Sequence, residues 1–217
     1  MAISLLNHQK NTITFLENKC VNQHGLLVYH NMGTGKTITG VSWLLNLQNR
    51  TGKELNYVIV CPEMIKSQWE NISKLLGFKL NLKNLINYEE FIVLLKTSSL
   101  IDMKKKNIIL DEAHHITSYL RENNFKKYSY YTNILNKSKK IILLTGTPNY
   151  SDHSDFSILC NIAVGRTEYP INNRDWVRRY MNKSEIDKNK NSKWFNYIKP
   201  ILRVPAYLTG LGSVASG

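Results

Sequence analysis

Two short runs carry residue types that can manage a phosphate chain and its counter-ion. The first is His30-Asn31-Met32-Gly33-Thr34-Gly35-Lys36-Thr37. Phosphate oxygens must come close to backbone N–H groups, and a Cβ at Gly33 or Gly35 would block that approach. The Lys36 ammonium can reach the β- and γ-phosphates, and the Thr37 hydroxyl can ligate Mg2+. The second run, Asp111-Glu112-Ala113-His114, ends an apolar stretch. There Asp111 can hold Mg2+ through its water shell, while Glu112 orients and deprotonates an attacking water. One position departs from the strict phosphate-loop pattern: His30 stands where a glycine is usual. His114 and His115 lack the H-E-x-x-H spacing, so zinc chemistry is not expected.

The elements that must position these residues follow from periodicity. Leu26–Tyr29, Tyr57–Val60, Asn107–Leu110 and Lys140–Leu144 are short, nearly continuous apolar runs, as in strands buried on both faces. A weaker fifth run is Leu82–Asn87. Between them, Ile38, Val41, Leu44, Leu45 and Gln48 recur at helical spacing, as do Met64, Trp69, Ile72, Leu75 and Leu76, and Phe91, Leu94 and Leu95. This alternation predicts an α/β fold: a mostly parallel central sheet with helices on both faces. Arg121–Lys140 reads as a surface helix with flexible flanks, and Arg174–Tyr180 as an amphipathic helix that buries Trp176, Val177 and Tyr180.

Composition bounds the possibilities. The chain has 217 residues, of which 42% are hydrophobic, enough for one sizeable core. No apolar run approaches the roughly 20 residues of a membrane span, and no secretory signal is visible. Lys plus Arg is 29 against 16 Asp plus Glu, a net charge of +13 that attracts polyanions, nucleic acid foremost. Three scattered cysteines (Cys20, Cys61 and Cys160) exclude a disulfide framework and point to an intracellular setting. The 25 asparagines read as a bias of the coding DNA.

Taken in order, the motifs resemble those of the first RecA-like domain of superfamily 2 helicases and translocases. Asp111-Glu112-Ala113-His114 is similar to the DEAH box, and Thr145-Gly146-Thr147-Pro148 to the third motif. Val58–Pro62 with Gln68-Trp69, and Asn87–Phe91, resemble segments that face nucleic acid. Leu6-Asn7-His8-Gln9 resembles the family's adenine-reading segment. The finer resemblance is to SWI/SNF-type duplex-DNA translocases and, through Tyr29-His30, to the nucleoside triphosphatase I group of large DNA viruses.

The resemblance implies a RecA-like P-loop NTPase domain with ATP and Mg2+ as ligands. Gln9, Met32, Gly33, Thr34, Gly35, Lys36 and Thr37 would bind the nucleotide, with Thr37 and Asp111 at the metal. Lys36, Asp111 and Glu112 would act in hydrolysis. His114, Thr145 and Thr147 would couple nucleotide state to nucleic acid, and Pro62, Ser67 and Tyr88 would touch the strand. Residues 1–165 would form the ATP-binding lobe, 166–207 a basic helical extension and 208–217 a flexible tail. The expected partners are nucleic acid, DNA before RNA, and a second RecA-like lobe. No motif of that lobe follows Pro148, so this chain by itself is expected to hydrolyse ATP poorly. The expected setting is a host cytoplasm or nucleus, or a virion. Two other readings stay open: an RNA-directed DEAH-type helicase lobe, and a non-hydrolysing module that binds nucleotide or nucleic acid.

Overall fold

A computed structural model describes residues 4–18, 24–31, 33–97, 100–121, 124–147, 153–180 and 206–208. Six strands form one sheet: β1 (Gly25–Tyr29), β2 (Tyr57–Val60), β3 (Leu85–Ile86), β4 (Asn107–Asp111), β5 (Lys140–Thr145) and β6 (Ala206–Leu208). Their order is β3-β2-β4-β5-β1-β6, and every neighbouring pair is parallel. The helices are α1 (Asn7–Asn18), α2 (Lys36–Thr51), α3 (Lys66–Leu76), α4 (Tyr88–Thr97), α5 (Leu100–Met103), α6 (His114–Arg121), α7 (Asn124–Leu135), α8 (His153–Val164) and α9 (Asn173–Tyr180).

The middles of the strands are apolar because the sheet is covered twice. Leu26, Val28, Ile59, Ile109, Ile142 and Leu144 point to one face, where Ile13, Leu16, Val41, Leu44 and Trp69 of α1, α2 and α3 close over them. Leu27, Val58, Val60, Ile108, Leu110, Ile141 and Leu143 point to the other, under α4 and α6 to α9. Alternate residues of one strand thus enter different cores, so a one-residue slip would exchange them. The expected α/β sheet with helices on both faces is the observed one.

Several local expectations need correction. Residues 82–84 of the weak fifth run make a 3-10 turn, because the Asn81 side chain accepts from the Lys83 N–H at 3.0 Å; only Leu85 and Ile86 pair as strand. Met64 is 90% exposed and Leu75 59%, since a 3-10 turn at Glu63–Ile65 precedes α3 and shifts the helical phase. The expected surface helix is an integral one: α7 buries Tyr128, Tyr131, Thr132 and Leu135 at spacings of three and four. Its lysines and asparagines disguise that stripe. The short strand β6 was not anticipated. Trp176 is buried as expected, whereas the side chains of Val177 and Tyr180, and residues 181–205 and 209–217, lie outside the described residues. Cys61 and Cys160 are buried, and burial pushes the Cys61 thiol up to about 12, as suits core residues. Among the described residues no helix is long and apolar enough to cross a membrane.

Candidate active site

Three neighbouring strands, β4, β5 and β1, carry chemistry at their carboxyl ends. Tyr29 of β1 lies level with Thr145 of β5, and Asp111 of β4 with Leu144. In parallel α/β sheets this edge is where ligands bind. Two backbone bonds tie the outgoing loops to β5: the His30 N–H donates to the Thr145 carbonyl at 3.2 Å, and the Ala113 N–H to the Leu144 carbonyl at 2.9 Å.

The phosphate loop leaves β1 and enters α2. Gly33 and Gly35 take φ values of 78° and 80°, left-handed conformations that side chains disfavour. A Cβ on Gly35 would also collide with the Gln9 amide. Gly35 caps α2 without any side-chain acceptor, so the first N–H groups of the helix remain available to an anion. Thr34 is held on both sides. Its hydroxyl donates to the Asn31 carbonyl at 2.8 Å, and its carbonyl accepts from Gln9 Nε2 at 3.1 Å and from His8 Nε2 at 2.8 Å. Lys36 and Thr37 are buried at the start of α2. Lys36 Nζ lies 3.5 Å from the His30 carbonyl and 3.6 Å from Glu112 Oε1. Burial, then His8 and Lys36, depress the fully buried His30 to about 4, which keeps it neutral at pH 7. Met32 lies outside the described residues.

Across from Lys36, Asp111 is buried with both carboxylate oxygens engaged. Oδ2 accepts from the Trp69 indole N–H at 2.9 Å and Oδ1 from the Glu112 N–H at 3.0 Å. Burial and the adjacent Glu112 carboxylate raise Asp111 to about 6, with Trp69 and Lys36 holding it back. Glu112 has φ 51°, the only positive value for a non-glycine among the described residues. That places its side chain between Lys36 and His114, whose Nδ1 is 3.5 Å from Glu112 Oε2. His114 Nδ1 also lies 3.2 Å from Thr145 Oγ1 and 3.1 Å from Thr147 Oγ1. Burial, then His115, lower the His114 pKa. The Thr147 N–H donates to Thr145 Oγ1 at 3.1 Å. Lys36, Glu112, His114, Thr145 and Thr147 therefore form one connected chain; Pro148 lies outside the described residues.

The expected strand-facing residues divide. Pro62 is half-buried and Ser67 exposed, beyond the carboxyl end of β2. Tyr88 is different: it is buried, and its hydroxyl donates to the Asp111 carbonyl at 2.8 Å, with the Glu112 carbonyl at 3.2 Å. Its hydroxyl is thus spent on the backbone of the carboxylate pair, a use the sequence did not suggest. The reason is a complete capping box: the Glu90 N–H donates to Asn87 Oδ1 and the Asn87 N–H to Glu90 Oε2, both at 2.8 Å. It starts α4 one residue before the ring and turns Tyr88 into the core. Gln9 too is buried and braces the loop through Thr34.

Two residues escaped the sequence reading as site residues. His8 adds a second donor to Thr34, and Trp69, read there as part of a core stripe, aims its N–H at Asp111. A buried tryptophan needs an acceptor for its N–H, and that was the available signal.

Comparison with known proteins agrees with this geometry. The family model of the type III restriction enzyme res subunit matches residues 2–150. A proposed ATP-dependent RNA helicase of Acanthamoeba polyphaga mimivirus is 30% identical over 170 residues, covering 78% of this chain and 34% of that protein. A termination factor NPH-I homologue of African swine fever virus is 25% identical over 185 residues, 75% of this chain and 25% of its own length. The chain thus spans a quarter to a third of these relatives. In structure, the SWI2/SNF2 ATPase core of Sulfolobus solfataricus in complex with dsDNA superposes with a TM-score of 0.58 at 17% identity, over 92% of this chain and 44% of that one. The chain belongs to the res-subunit family of type III restriction enzymes, and its fold is that of the first RecA-like domain of superfamily 2 helicases and translocases.

Proposed function

We propose that the chain is the ATP-binding lobe of a motor that hydrolyses ATP to move on nucleic acid, duplex DNA foremost. The observation that carries this reading is the 3.6 Å approach of Lys36 Nζ to Glu112 Oε1, which brings the glycine-opened loop and the carboxylate pair to one point. The donor set fits Mg2+ with a nucleotide. Among the described residues no group of three or more His, Cys, Asp or Glu is arranged to hold a metal ion by itself, whereas one carboxylate (Asp111) and one hydroxyl (Thr37) lie by a loop for phosphate oxygens. Mg2+ is commonly held in that sparse way, with water completing its shell. Bound there, it supplies charge neutralisation to the β- and γ-phosphates.

The chain's own residues do the rest. Lys36 trades its Glu112 contact for phosphate oxygens and frees that carboxylate. Glu112 then orients water and accepts its proton. Neutral His114 relays the position of Glu112 to Thr145 and Thr147, whose loop lies at the edge expected to carry the strand. Gln9 keeps one amide hydrogen and one lone pair beyond its loop bonds, enough to read an adenine edge. The motif likeness to duplex-DNA translocases and to the viral triphosphatases supports DNA. The mimivirus relative's description as an RNA helicase favours the second reading, an RNA-directed lobe.

A titration with a fluorescent ATP analogue tests the nucleotide reading. Lys36→Ala should abolish binding; Glu112→Gln should keep it and remove turnover, expected to be about 10³-fold or more below native, as for a lost catalytic group. Native binding by Lys36→Ala would refute it. Parallel titrations with duplex DNA, single-stranded DNA and RNA separate the two substrates, and affinity should fall with rising salt.

A further inference from the structure

The segments that follow β2 and β3 each send a buried aromatic donor into the carboxylate pair. From α3, the fully buried Trp69 directs its indole N–H to Asp111 Oδ2 at 2.9 Å. From the first residue of α4, the Tyr88 hydroxyl donates to the Asp111 carbonyl at 2.8 Å and lies 3.2 Å from that of Glu112. Packing alone requires neither polar atom, since a phenyl ring would fill much of either space. The N–H and O–H add direction. With the Glu112 N–H on Oδ1, the indole N–H leaves the Asp111 carboxylate no free rotation, and the Tyr88 hydroxyl holds the peptide on which Glu112 takes its left-handed turn.

The two helices are also joined to each other at their starts. Lys66 Nζ lies 2.8 Å from Glu63 Oε2 and 3.4 Å from Glu90 Oε2, and Asn87 Nδ2 donates to Glu63 Oε2 at 3.2 Å. These groups are at the surface beside Pro62 and Ser67, so a shift of either helix start is shared by both. On its opposite side the Trp69 ring rests on Gly40 of α2, where a Cβ would come within 2.7 Å of the ring. Trp69 therefore spans from the phosphate-loop helix to the metal carboxylate.

We propose that Trp69 and Tyr88 are positioning residues that lock the Asp111–Glu112 pair, so that α3 and α4 set how readily Asp111 takes the metal of a bound nucleotide. The proposal rests on the Mg-nucleotide reading given above. Trp69 acts through the Asp111 carboxylate and Tyr88 through the backbone of Asp111 and Glu112.

The test is nucleotide binding by the chain at graded Mg2+ concentrations and in EDTA, with the thermal midpoint of each variant measured alongside. Partners that orient a metal ligand typically contribute 10- to 100-fold in metal affinity, so Trp69→Phe should raise half-saturating Mg2+ by about that factor. Tyr88→Phe loses a neutral hydrogen bond and should raise it about 3- to 10-fold. Affinity in EDTA should be unchanged for both. An equal loss in Mg2+ and EDTA, or no loss in either, overturns the proposal, since a purely structural role would not discriminate. If Trp69→Phe unfolds, Trp69→β-(3-benzothienyl)alanine keeps the bicyclic ring without the N–H, and an unchanged Mg2+ dependence there is equally fatal. Lys36→Ala separates the two layers. If it binds like the native chain, the nucleotide reading fails. If it loses binding while both aromatic variants keep the native Mg2+ dependence, only the positioning proposal fails.

Discussion

Gln9 braces the phosphate loop, and the adenine-reading role proposed for it can be tested apart from that. Its Nε2 supports the Thr34 carbonyl and its Oε1 accepts from the Leu6 N–H at 2.9 Å. One hydrogen and one lone pair remain beyond these bonds, the capacity that the proposed adenine contact would use. Gln9→Ala should therefore weaken ATP about 10-fold, the scale of one or two lost hydrogen bonds, and erase any preference over GTP. Competition titrations with both nucleotides measure this; equal losses for ATP and GTP would leave only the bracing role. Glu112 shows the same economy. Its left-handed backbone, uncommon outside glycine and asparagine, lets one side chain meet both Lys36 and His114.

Between helices, the tightest constraint is where α2 crosses α3. Gly40 leaves room for the far edge of the Trp69 ring against α2, and Gly40→Ala would drive the ring back from a 2.7 Å overlap. Overpacking of this kind costs about 1–3 kcal/mol, and at about 2–4 °C per kcal/mol the thermal midpoint should fall by several degrees. A scan of that variant beside native checks it; an unchanged midpoint would mean the helices part freely. At this level the sequence was largely readable. Four strands and the loop-to-helix order followed from apolar runs, because a doubly covered sheet keeps polar residues to the ends of its strands. The carboxylate pair and the phosphate loop were equally plain. What stayed hidden was direction. Tyr88, Trp69 and the α7 tyrosines are amphipathic, and residue type alone does not say whether a polar tip turns inward. Asparagine misled in the same way. Treated as compositional noise, it includes Asn161, whose Oδ1 accepts from the N–H groups of Glu168 and Tyr169, both at 2.8 Å, and whose Nδ2 donates to Tyr128 and to the Tyr169 carbonyl.

At the scale of the whole molecule, His30 makes the fold sensitive to mild acid. Unfolded, His30 takes its proton near 6.5; folded, only at about 4. Between those values the native state binds fewer protons, so stability present above pH 6.5 is lost as pH falls toward 4. His24 and His114 are lowered too, chiefly by burial, and act in the same direction. Asp111 opposes them: raised from 3.8 to about 6, it favours the fold as pH drops through that range. For His30 alone the shift corresponds to about 3 kcal/mol at pH 4, so His30→Asn should flatten the acid limb by roughly that amount relative to native. Urea unfolding of both proteins from pH 7.5 to 4 measures it, and parallel curves would show that His30 is not the source.

Strand β6 pairs with β1 through Leu27, Val28 and Tyr29, and so makes the phosphate-loop strand an interior one. Shortening the polypeptide before Ala206 would strip that cover and leave β1 with a bare row of N–H and C=O groups. Open rims of this kind recruit other chains. A trimmed version that keeps every motif would thus clump through the very strand that presents its nucleotide cradle.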